Sequence, residues 1–332
     1  MFTFVKCHHL GNDFILIDDR HDIFPVSPAL VQKLCRAHIG IGADGLILLK
    51  KSKKSDFKMR LFNSDGSEAS SCGNGLACLT LFIQILKLKL KLKQKANTSD
   101  SSNIPDIYNI ADHSLEKSKM TELSALESSF TIETLAGEVK AGFKKGIVTL
   151  QMQDPKILQK AVCLDFTKLN FTKHENGHEN EKTVNGEKKE GYEKNKGLFQ
   201  KNMFFHADTG VEHAVTFVKN FDFDLEKTGQ ATRHHAAFQP YGVNVDFAKL
   251  TSNGVDLRVY EKGVEAETLA CGTGAIATAL AAFYLHNIKP PVLINFKQGS
   301  LKVDFEIKKD IIKTVKLITF PSWVYSGNFL LD

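Results

Sequence analysis

A four-residue pattern of cysteine, glycine, any residue and glycine occurs twice in this chain. Residues 72–75 read CGNG and residues 271–274 read CGTG, and an apolar run with helical spacing follows each of them directly. Self-similarity of this kind is typical of an internal duplication. The repeat therefore predicts two related halves, each with one cysteine, Cys72 or Cys271, at the N-terminus of a buried helix.

This placement of cysteine predicts a particular chemistry. A helix N-terminus presents unpaired N–H groups and a partial positive charge, so it binds anions and lowers the pKa of a thiol placed there from about 8.5. Two such ends around one carboxylate would hold two sulfurs on opposite sides of the adjacent carbon. One thiolate then removes the α-proton while the other thiol donates one from the opposite face, which inverts the stereochemistry. No metal motif is present, and no cofactor is needed.

Composition excludes several other classes of protein. The 332 residues are 42% hydrophobic and 24% charged, with a net charge of only +5, which is typical of a soluble globular protein and not of a nucleic-acid-binding surface. The start of the chain lacks the apolar core of a secretory signal, and no apolar run approaches the roughly 20 residues of a spanning helix. We expect a cytoplasmic protein that acts on a small amino acid, without nucleic-acid or membrane partners. The sequence leaves a monomer and a homodimer open.

The remaining cysteines predict neither a zinc site nor a redox centre. None of the six cysteines forms a C-x-x-C pair with another, and a reducing compartment would keep them as thiols. The four outside the repeated pattern are best interpreted as small buried hydrophobic residues. They are Cys7, Cys35, Cys78 and Cys163.

Two polar segments look like insertions, at about residues 87–129 and 174–197. The first begins with KLKLKLK, whose strict alternation favours an edge strand with solvent-facing lysines over a membrane or nucleic-acid contact. The second is almost without apolar residues and nearly cancels its own charge, so it cannot form a core. We interpret it as a surface loop.

Ordered motifs along most of the chain resemble the diaminopimelate epimerase family, whose members interconvert LL- and meso-diaminopimelate without a cofactor. The motifs lie outside the two insertions and in the family's order. They are HHLGNDFILID, GIGADG, FNSDGSE, SCGNG, TLAG, HADTGVEHAVTFV, GVNVDF and YEKGVEAETLACGTGA.

The resemblance implies roles for individual residues. Cys72 and Cys271 match the two catalytic acid/bases. The residues implied in holding the reacting carboxylate through their backbone are Gly73, Asn74, Gly272 and Thr273, and those implied in binding substrate through side chains are Asn12, Asn63, Asn244, Glu261 and Lys262. His213 and Glu261 match residues that adjust the cysteines. Without the family match, the asparagines would be interpreted as turn formers, and His213 and Glu261 as structural or solvated groups.

The departures from the family pattern concern the distal end of the substrate. Lys262 stands where many members have arginine, which replaces a planar fork with a point charge. Gly45 stands where some members have glutamine, and Val211 where many have asparagine. One extra residue also separates Glu261 from Cys271. The sequence therefore indicates the type of reaction more firmly than it indicates the substrate.

The fold implied by the resemblance is of the α/β class, α+β in type, with two pseudo-symmetric domains. Each would be a mixed β-barrel around a central helix, with the active site in the cleft between them. We place the N-terminal half at residues 1–141 plus 318–332 and the C-terminal half at 142–317.

Two rival functions stay open from the sequence. One is another racemase of the same fold, acting on a glutamate or proline derivative; however, proline racemase-like members carry a histidine where this chain has Asn74. The other is a non-catalytic binding protein or thiol redox sensor in which Cys72 and Cys271 form a disulfide.

Overall fold

The computed structural model describes residues 1–95, 121–164, 203–309 and 311–331. The chain forms two compact units. The first unit comprises Met1–Met152, Gln298–Asp304 and Thr314–Asp332, and the second comprises Gln153–Lys297 and Phe305–Lys313. The boundary after Met152 lies later than the Ala141 boundary estimated from the sequence. A division at Ala141 would cut a strand that is paired along its length.

Strands predominate among the described residues. In chain order they are β1 (Phe2–His9), β2 (Asn12–Asp18), β3 (Gly45–Lys50), β4 (Phe57–Asn63), β5 (Glu68–Ala69), β6 (Glu127–Thr134), β7 (Gly137–Lys144), β8 (Ile147–Gln151), β9 (Lys156–Cys163), β10 (Met203–Asp208), β11 (Glu212–Phe217), β12 (Asn244–Thr251), β13 (Gly254–Glu261), β14 (Ala266–Thr268), β15 (Val292–Phe296), β16 (Gly299–Lys308), β17 (Ile311–Thr319) and β18 (Ser322–Phe329). The helices are α1 (Pro28–Cys35), α2 (Gly73–Lys95), α3 (Leu225–Arg233) and α4 (Gly272–His286), with a 3₁₀ turn at Ala236–Phe238. None of these helices is long and apolar enough to cross a membrane.

In the first unit, a mixed sheet wraps around α2. β2 pairs antiparallel with β1 and parallel with β3, and α1 lies in the connection that a parallel pair requires. β3 pairs antiparallel with β4, which continues to the short β5 and, in parallel, to β6. The helix α2 contacts strands from β1 to β4 as well as β7, β8 and β18. The helix therefore lies at the centre of this unit's core.

The second unit repeats this order of pairings. β11 pairs antiparallel with β10 and parallel with β12, and α3 lies in the connection. β12 pairs antiparallel with β13, which continues to the short β14 and, in parallel, to β15. The chain then enters α4, as it enters α2 after β5. The prediction of an α+β fold built from mixed sheets around apolar helices is confirmed.

Both central helices are buried on all sides over residues 74–86 of α2 and 274–282 of α4, which explains why neither is amphipathic there. Leu76 and Leu79 of α2 and Ile276 and Leu280 of α4 have no exposed surface. A helix that is hydrophobic all round belongs inside a core. Small residues dominate α4, so strands can approach it closely.

The KLKLKLK run is not the edge strand that its alternation suggested, because it extends helix α2 to Lys95. Leu86 and Leu88 remain buried, while Leu90 is 52% exposed. Leucine and lysine are both strong helix formers, and a helix already nucleated by the preceding apolar turns adds residues at little cost. The continuation of the preceding helix therefore determines the structure of this run, and the period-two alternation of leucine and lysine does not. The insertion estimated at 87–129 also overlaps β6 at its end, and the 174–197 segment lies outside the described residues.

Candidate active site

Each of the two cysteine turns, residues 72–75 and 271–274, starts a central helix with the same backbone arrangement. The carbonyl of Cys72 accepts from the N–H of Leu76, and that of Cys271 from the N–H of Ala275, both at 2.9 Å. Each cysteine is therefore the residue before the first helical position. The first N–H groups of a helix have no acceptor within the helix, so a helix N-terminus of this kind is suited to bind an anion.

In the second unit, Cys271 lies in a network of hydrogen bonds. Its sulfur accepts from the N–H of Gly274 at 3.4 Å and lies 3.2 Å from the Thr273 hydroxyl oxygen. That oxygen is in turn 3.0 Å from Nε2 of His213. The sequence-predicted residues Cys271, Gly272, Thr273 and His213 are thus brought together.

A buried carboxylate completes this network. Nδ1 of His213 lies 2.7 Å from Oδ2 of Asp246, and neither side chain has exposed surface. Burial alone would lower the pKa of His213, but the charge and hydrogen bond of Asp246, together with the Cys271 sulfur, raise that pKa to about 10. The imidazole is therefore charged at neutral pH and paired with Asp246.

Asn244, Lys262 and Glu261 border the same network. The Asn244 side-chain nitrogen lies 3.2 Å from Nε2 of His213, and its oxygen accepts from the backbone N–H of Lys262 at 2.7 Å. The Lys262 ammonium donates to the carbonyls of Tyr241 and Gly242. Burial raises the pKa of Glu261, although the Thr268 hydroxyl and the His213 charge act in the opposite direction.

In the first unit, Cys72 lies in a network that includes Asn12, Asn74 and His9. Its thiol donates to Oδ1 of Asn12 at 3.8 Å, and the Asn74 side chain donates to the same oxygen at 3.3 Å. Oδ1 of Asn74 lies 2.7 Å from Nδ1 of His9, whose Nε2 contacts the hydroxyl of Thr319. Amide, imidazole and hydroxyl groups are therefore joined in this network.

The orientation of Asn12 is fixed from its other side. Its nitrogen donates to Oδ2 of Asp44 at 2.8 Å, and the same carboxylate oxygen accepts from the backbone N–H of Asp13. Because the nitrogen is held by Asp44, the oxygen of Asn12 must face Cys72 and Asn74. This oxygen is an acceptor, so it suits a protonated thiol.

His9 differs from His213 in charge as well as in partners. It is 3% exposed, and burial lowers its pKa to about 4 against the opposing effect of the Asn74 hydrogen bond. His9 is therefore neutral at neutral pH.

The other positions discussed in the sequence analysis are Asn63, Val211 and Gly45. Asn63 does not join the Cys72 network through the hydrogen bonds described, because its nitrogen donates to Ser67 within its own turn at 3.0 Å. Val211 is 42% exposed. At Gly45 a Cβ atom would lie 2.6 Å from the carbonyl oxygen of Phe62, so the backbone excludes any side chain at this position.

Sequence reasoning missed His9 and Asp246. Both had a signal in the strand register, since His9 pairs directly with Asn12 across the β1–β2 hairpin. Asp246 lies two residues after Asn244 on β12, and residues i and i+2 of a strand share a face. A polar residue at that spacing within an otherwise apolar strand was the available clue.

Of the four cysteines outside the repeat, Cys7, Cys35 and Cys78 are buried, whereas Cys163 is exposed, so the interpretation as a small buried residue is wrong for Cys163. All six cysteines are free thiols. Burial raises the pKa of the Cys7 and Cys78 thiols, and that of Cys35 to about 11. Groups held protonated in this way are poor nucleophiles and bases.

Comparison with known proteins identifies relatives over almost the whole chain. The family model for diaminopimelate epimerase matches residues 4–102 and 205–317. The diaminopimelate epimerase of Archaeoglobus fulgidus is 30% identical over 91% of this chain and 89% of its own. That of Methanothrix thermoacetophila is 33% identical over 92% of this chain and 90% of its own, and that of Aquifex aeolicus 32% over 94% and 93%.

Solved structures of low sequence identity share the fold. A Bacillus anthracis phenazine biosynthesis protein of the PhzF family aligns with a TM-score of 0.58 at 13% identity, covering 99% of both chains. A hydroxyproline epimerase from Agrobacterium vitis, with bound trans-4-hydroxy-L-proline, aligns with a TM-score of 0.56 at 15% identity, covering 98% of this chain and 90% of its own. At such identities the likeness concerns the fold alone.

Proposed function

Because the chain belongs to the diaminopimelate epimerase family of isomerases, we propose that it interconverts LL- and meso-2,6-diaminopimelate. The reaction inverts one α-carbon and uses no cofactor. It would supply meso-diaminopimelate for lysine and peptidoglycan precursor synthesis, and we propose that the protein works in the cytoplasm. The matches to diaminopimelate epimerases across both units support this substrate.

The proposed mechanism uses Cys72 and Cys271 on opposite faces of one α-carbon. One sulfur, as thiolate, takes the α-proton, and the electron pair of the C–H bond moves toward the carboxylate. The other sulfur, as thiol, delivers its proton to the opposite face, so that each turnover leaves the two cysteines with exchanged protonation states. The backbone N–H groups at the two helix N-termini would stabilise the charge that develops on the carboxylate.

The observation that most supports this mechanism is the equivalence of the two cysteine turns. In both units the chain leaves a short strand, places a cysteine before the first helical residue and enters a helix whose N-terminal half is buried. A packing role would not require the cysteine in both copies. Acid–base chemistry from two faces requires it in both.

Exchange of the α-proton with solvent tests the proposal. In deuterium oxide, the wild-type protein should introduce deuterium at an α-carbon of LL-diaminopimelate as the meso isomer forms. Cys72→Ala and Cys271→Ala should each reduce epimerisation by about 10²- to 10⁴-fold, because each removes one acid/base. Cys163→Ala is the matched control, since Cys163 is exposed and lies outside both turns. Undiminished epimerisation by Cys271→Ala would contradict the mechanism.

A second candidate concerns the substrate and not the reaction. Lys262 replaces the arginine found in many relatives, and its ammonium is directed to the carbonyls of Tyr241 and Gly242. A lysine engaged in this way offers a weaker hold on a distal carboxylate than a bidentate arginine. A shorter amino acid such as glutamate is therefore the alternative substrate. Comparing kcat/KM for LL-diaminopimelate and L-glutamate decides between them, and a higher value for L-glutamate would reverse our assignment.

A further inference from the structure

The turn between β13 and β14, residues 262–265, adjoins or contains two residues proposed to bind substrate. Glu261 ends β13 directly before the turn, and Lys262 is the first residue of the turn. Glu265 closes it, because its N–H donates to the Glu261 carbonyl at 2.8 Å and its Oε1 accepts from the N–H of Gly263 at 2.9 Å. The conformation of this turn therefore sets where Glu261 and Lys262 lie.

The backbone of Glu265 has a conformation that favours glycine. Its φ is 58°, in the left-handed region, where a Cβ atom is sterically disfavoured. A residue other than glycine that persists in this region points to a role for its side chain. The contacts of the Glu265 carboxylate indicate what that role is.

Arg233, the last residue of α3, holds the Glu265 carboxylate from outside the turn. Its Nε and Nη2 lie 2.8 and 2.7 Å from Oε1 of Glu265, and the Tyr260 hydroxyl donates to Oε2 at 3.3 Å. Burial acts to raise the pKa of Glu265, but the Gly263 N–H and the Arg233 guanidinium together lower it, so the carboxyl is ionised at neutral pH. The Arg233 side chain is only 15% exposed. The ion pair between helix and turn is therefore partly shielded from water.

Arg233 also contacts the segment that receives the Lys262 side chain. A Cβ atom on Gly242 would lie 2.5 Å from a guanidinium nitrogen of Arg233 and 2.8 Å from its carbonyl oxygen, so the packing leaves room only for glycine. The Gly242 carbonyl accepts from the Lys262 ammonium at 3.5 Å, and the Lys262 backbone N–H donates to Asn244 at 2.7 Å. Arg233 thus touches both the segment that accepts the Lys262 side chain and the turn that carries its backbone.

The first unit has an equivalent contact between a connecting helix and a turn. α1 lies between the parallel strands β2 and β3, as α3 lies between β11 and β12. The turn after β4, residues 64–67, follows Asn63, another residue proposed to bind substrate. Nε2 of Gln32 on α1 donates to the carbonyl of Asp65 in this turn at 2.6 Å. Contact between helix and turn is therefore common to both units, and in the second unit it is an ion pair.

From these contacts we propose that Arg233 and Glu265 are positioning residues for substrate binding. Their ion pair joins α3 to the turn, and the turn holds Glu261 and Lys262 in the arrangement that the substrate meets. The helix that connects the parallel strands thus acts on the site without touching the substrate. The proposal rests on the proposed function only in taking Glu261 and Lys262 as substrate-binding residues.

Glu265→Gly separates positioning from folding. Glycine adopts a positive φ readily, so this substitution removes the carboxylate without straining the backbone, and the midpoint of thermal unfolding should stay within about 4 °C of wild type. KM should rise by about three- to tenfold, because a partly exposed charge-assisted contact is lost, and kcat should fall by a smaller factor. The kinetics are measured with whichever of LL-diaminopimelate and L-glutamate the wild type converts.

Matched variants show whether the two residues act as one contact. Glu265→Gln keeps an oxygen that can accept from Gly263 and Arg233, so its KM should lie between those of wild type and Glu265→Gly. Arg233→Ala should raise KM as Glu265→Gly does, and the double variant should raise it no further. Lys227→Ala is the control on the same helix, because the Lys227 side chain is 75% exposed and pairs with Asp224 within α3. Its KM should equal that of wild type.

Backbone hydrogen exchange in the substrate-free protein tests the same contacts without turnover. Measured by NMR, the N–H groups of Lys262 and Gly263 should exchange about tenfold faster or more in Arg233→Ala than in wild type, because opening of the turn is then less opposed. Lys227→Ala should leave both rates unchanged.

Three results would overturn the proposal: an unchanged KM in Glu265→Gly, a KM in the double variant that rises by the product of the single effects, or unchanged exchange in Arg233→Ala. A wild-type protein that converts neither amino acid would instead contradict the proposed function. In that case the exchange rates still decide whether Arg233 holds the turn, so the two failures are distinguishable.

Discussion

The two cysteine turns have the same backbone but different surroundings. The network at Cys72 includes the amides of Asn12 and Asn74 and, through Asn74, His9, whereas the network at Cys271 includes the pair of His213 and Asp246. A duplicated backbone supplies two equivalent helix N-termini, but the side chains beside them differ.

Away from the cysteines the two units have kept matching side chains. Arg60 on β4 forms two parallel hydrogen bonds to Glu68, at 2.7 and 2.9 Å, and Arg258 on β13 forms two to Glu267, at 2.6 and 2.5 Å. In each unit the arginine lies two residues before an aromatic residue, Phe62 or Tyr260. This arginine–glutamate pair is therefore common to the two units, whereas the side chains beneath the two cysteine turns differ.

The largest expected effect comes from giving the second unit the apolar pair, Phe14 and Ile47, that lies beneath Gly75 in the first. The double variant His213→Phe with Asp246→Ile should fold, because well-packed apolar residues can replace a buried ion pair without loss of stability. Its kcat should fall by about 10²- to 10⁴-fold under the proposed mechanism, since the charged group in contact with Thr273 beside Cys271 is gone. Asp246→Ile alone should lose about 3–5 kcal/mol in free energy of unfolding, because it leaves the imidazolium unpaired.

Denaturant unfolding and steady-state kinetics on the single and double variants measure both effects. Full activity in the double variant would show that the ion pair has no part in catalysis. Equal stability of Asp246→Ile and wild type would show that His213 is neutral in the folded protein.

A smaller effect is expected from pH, with opposite signs for the two histidines. His213 has a folded-state pKa of about 10, so its contribution to stability is present below its unfolded value near 6.5 and is lost as the pH rises through about 10. His9 has a folded-state pKa of about 4, so its contribution is present above about 6.5 and is lost as the pH falls toward about 4.

Unfolding free energies of wild type and His9→Gln across this range measure the acid side, and the double variant at His213 and Asp246 measures the alkaline side. His9→Gln should flatten the acid limb alone, and the double variant should flatten the alkaline limb alone. If both variants changed the same limb, the contrast between the two histidines would be refuted.

Adding a methyl group at the two turn glycines should affect the second unit more. Gly274→Ala would place Cβ 2.7 Å from Oδ1 of Asp246, a carboxylate held in position by His213, whereas Gly75→Ala would place it 3.1 Å from the end of the Ile47 side chain. Overpacking of this kind costs about 1–3 kcal/mol, and we expect Gly274→Ala near the upper end and Gly75→Ala near the lower. Thermal unfolding of the two variants measures the two losses of stability. A larger loss in Gly75→Ala would mean that His213 and Asp246 accommodate the added methyl group more easily than Phe14 and Ile47 do.

The smallest effects should come from the matched arginines. Arg60→Lys and Arg258→Lys should each destabilise the protein by about 0.5–1 kcal/mol, because lysine cannot form the paired hydrogen bonds and both sites are partly exposed. Since neither arginine touches a cysteine network, kcat should stay within about twofold of wild type. A large loss of activity in only one variant would show that the units differ beyond the turns.

Much of the fold could be predicted from local pattern. The two apolar helices, the strands beside them and the duplication follow from residue spacing that one backbone conformation satisfies. The KLKLKLK run shows the limit, because its alternation matched a strand while its position after α2 made it a helix. Domain limits also depended on pairing, since only the partners of β7 and β8 show that Ala141 lies inside the first unit.

The sequence by itself determined that two cysteines precede two buried helices, because glycine spacing and apolar runs are local properties that a reader can follow along the chain. Only the tertiary structure decided which charged or neutral groups surround each cysteine. Asp246 and His213 are 33 residues apart, yet their side chains are 2.7 Å apart. The sheet register sets that contact, and the contact with Asp246 raises the pKa of His213 against the opposing effect of burial, which no local sequence pattern specifies.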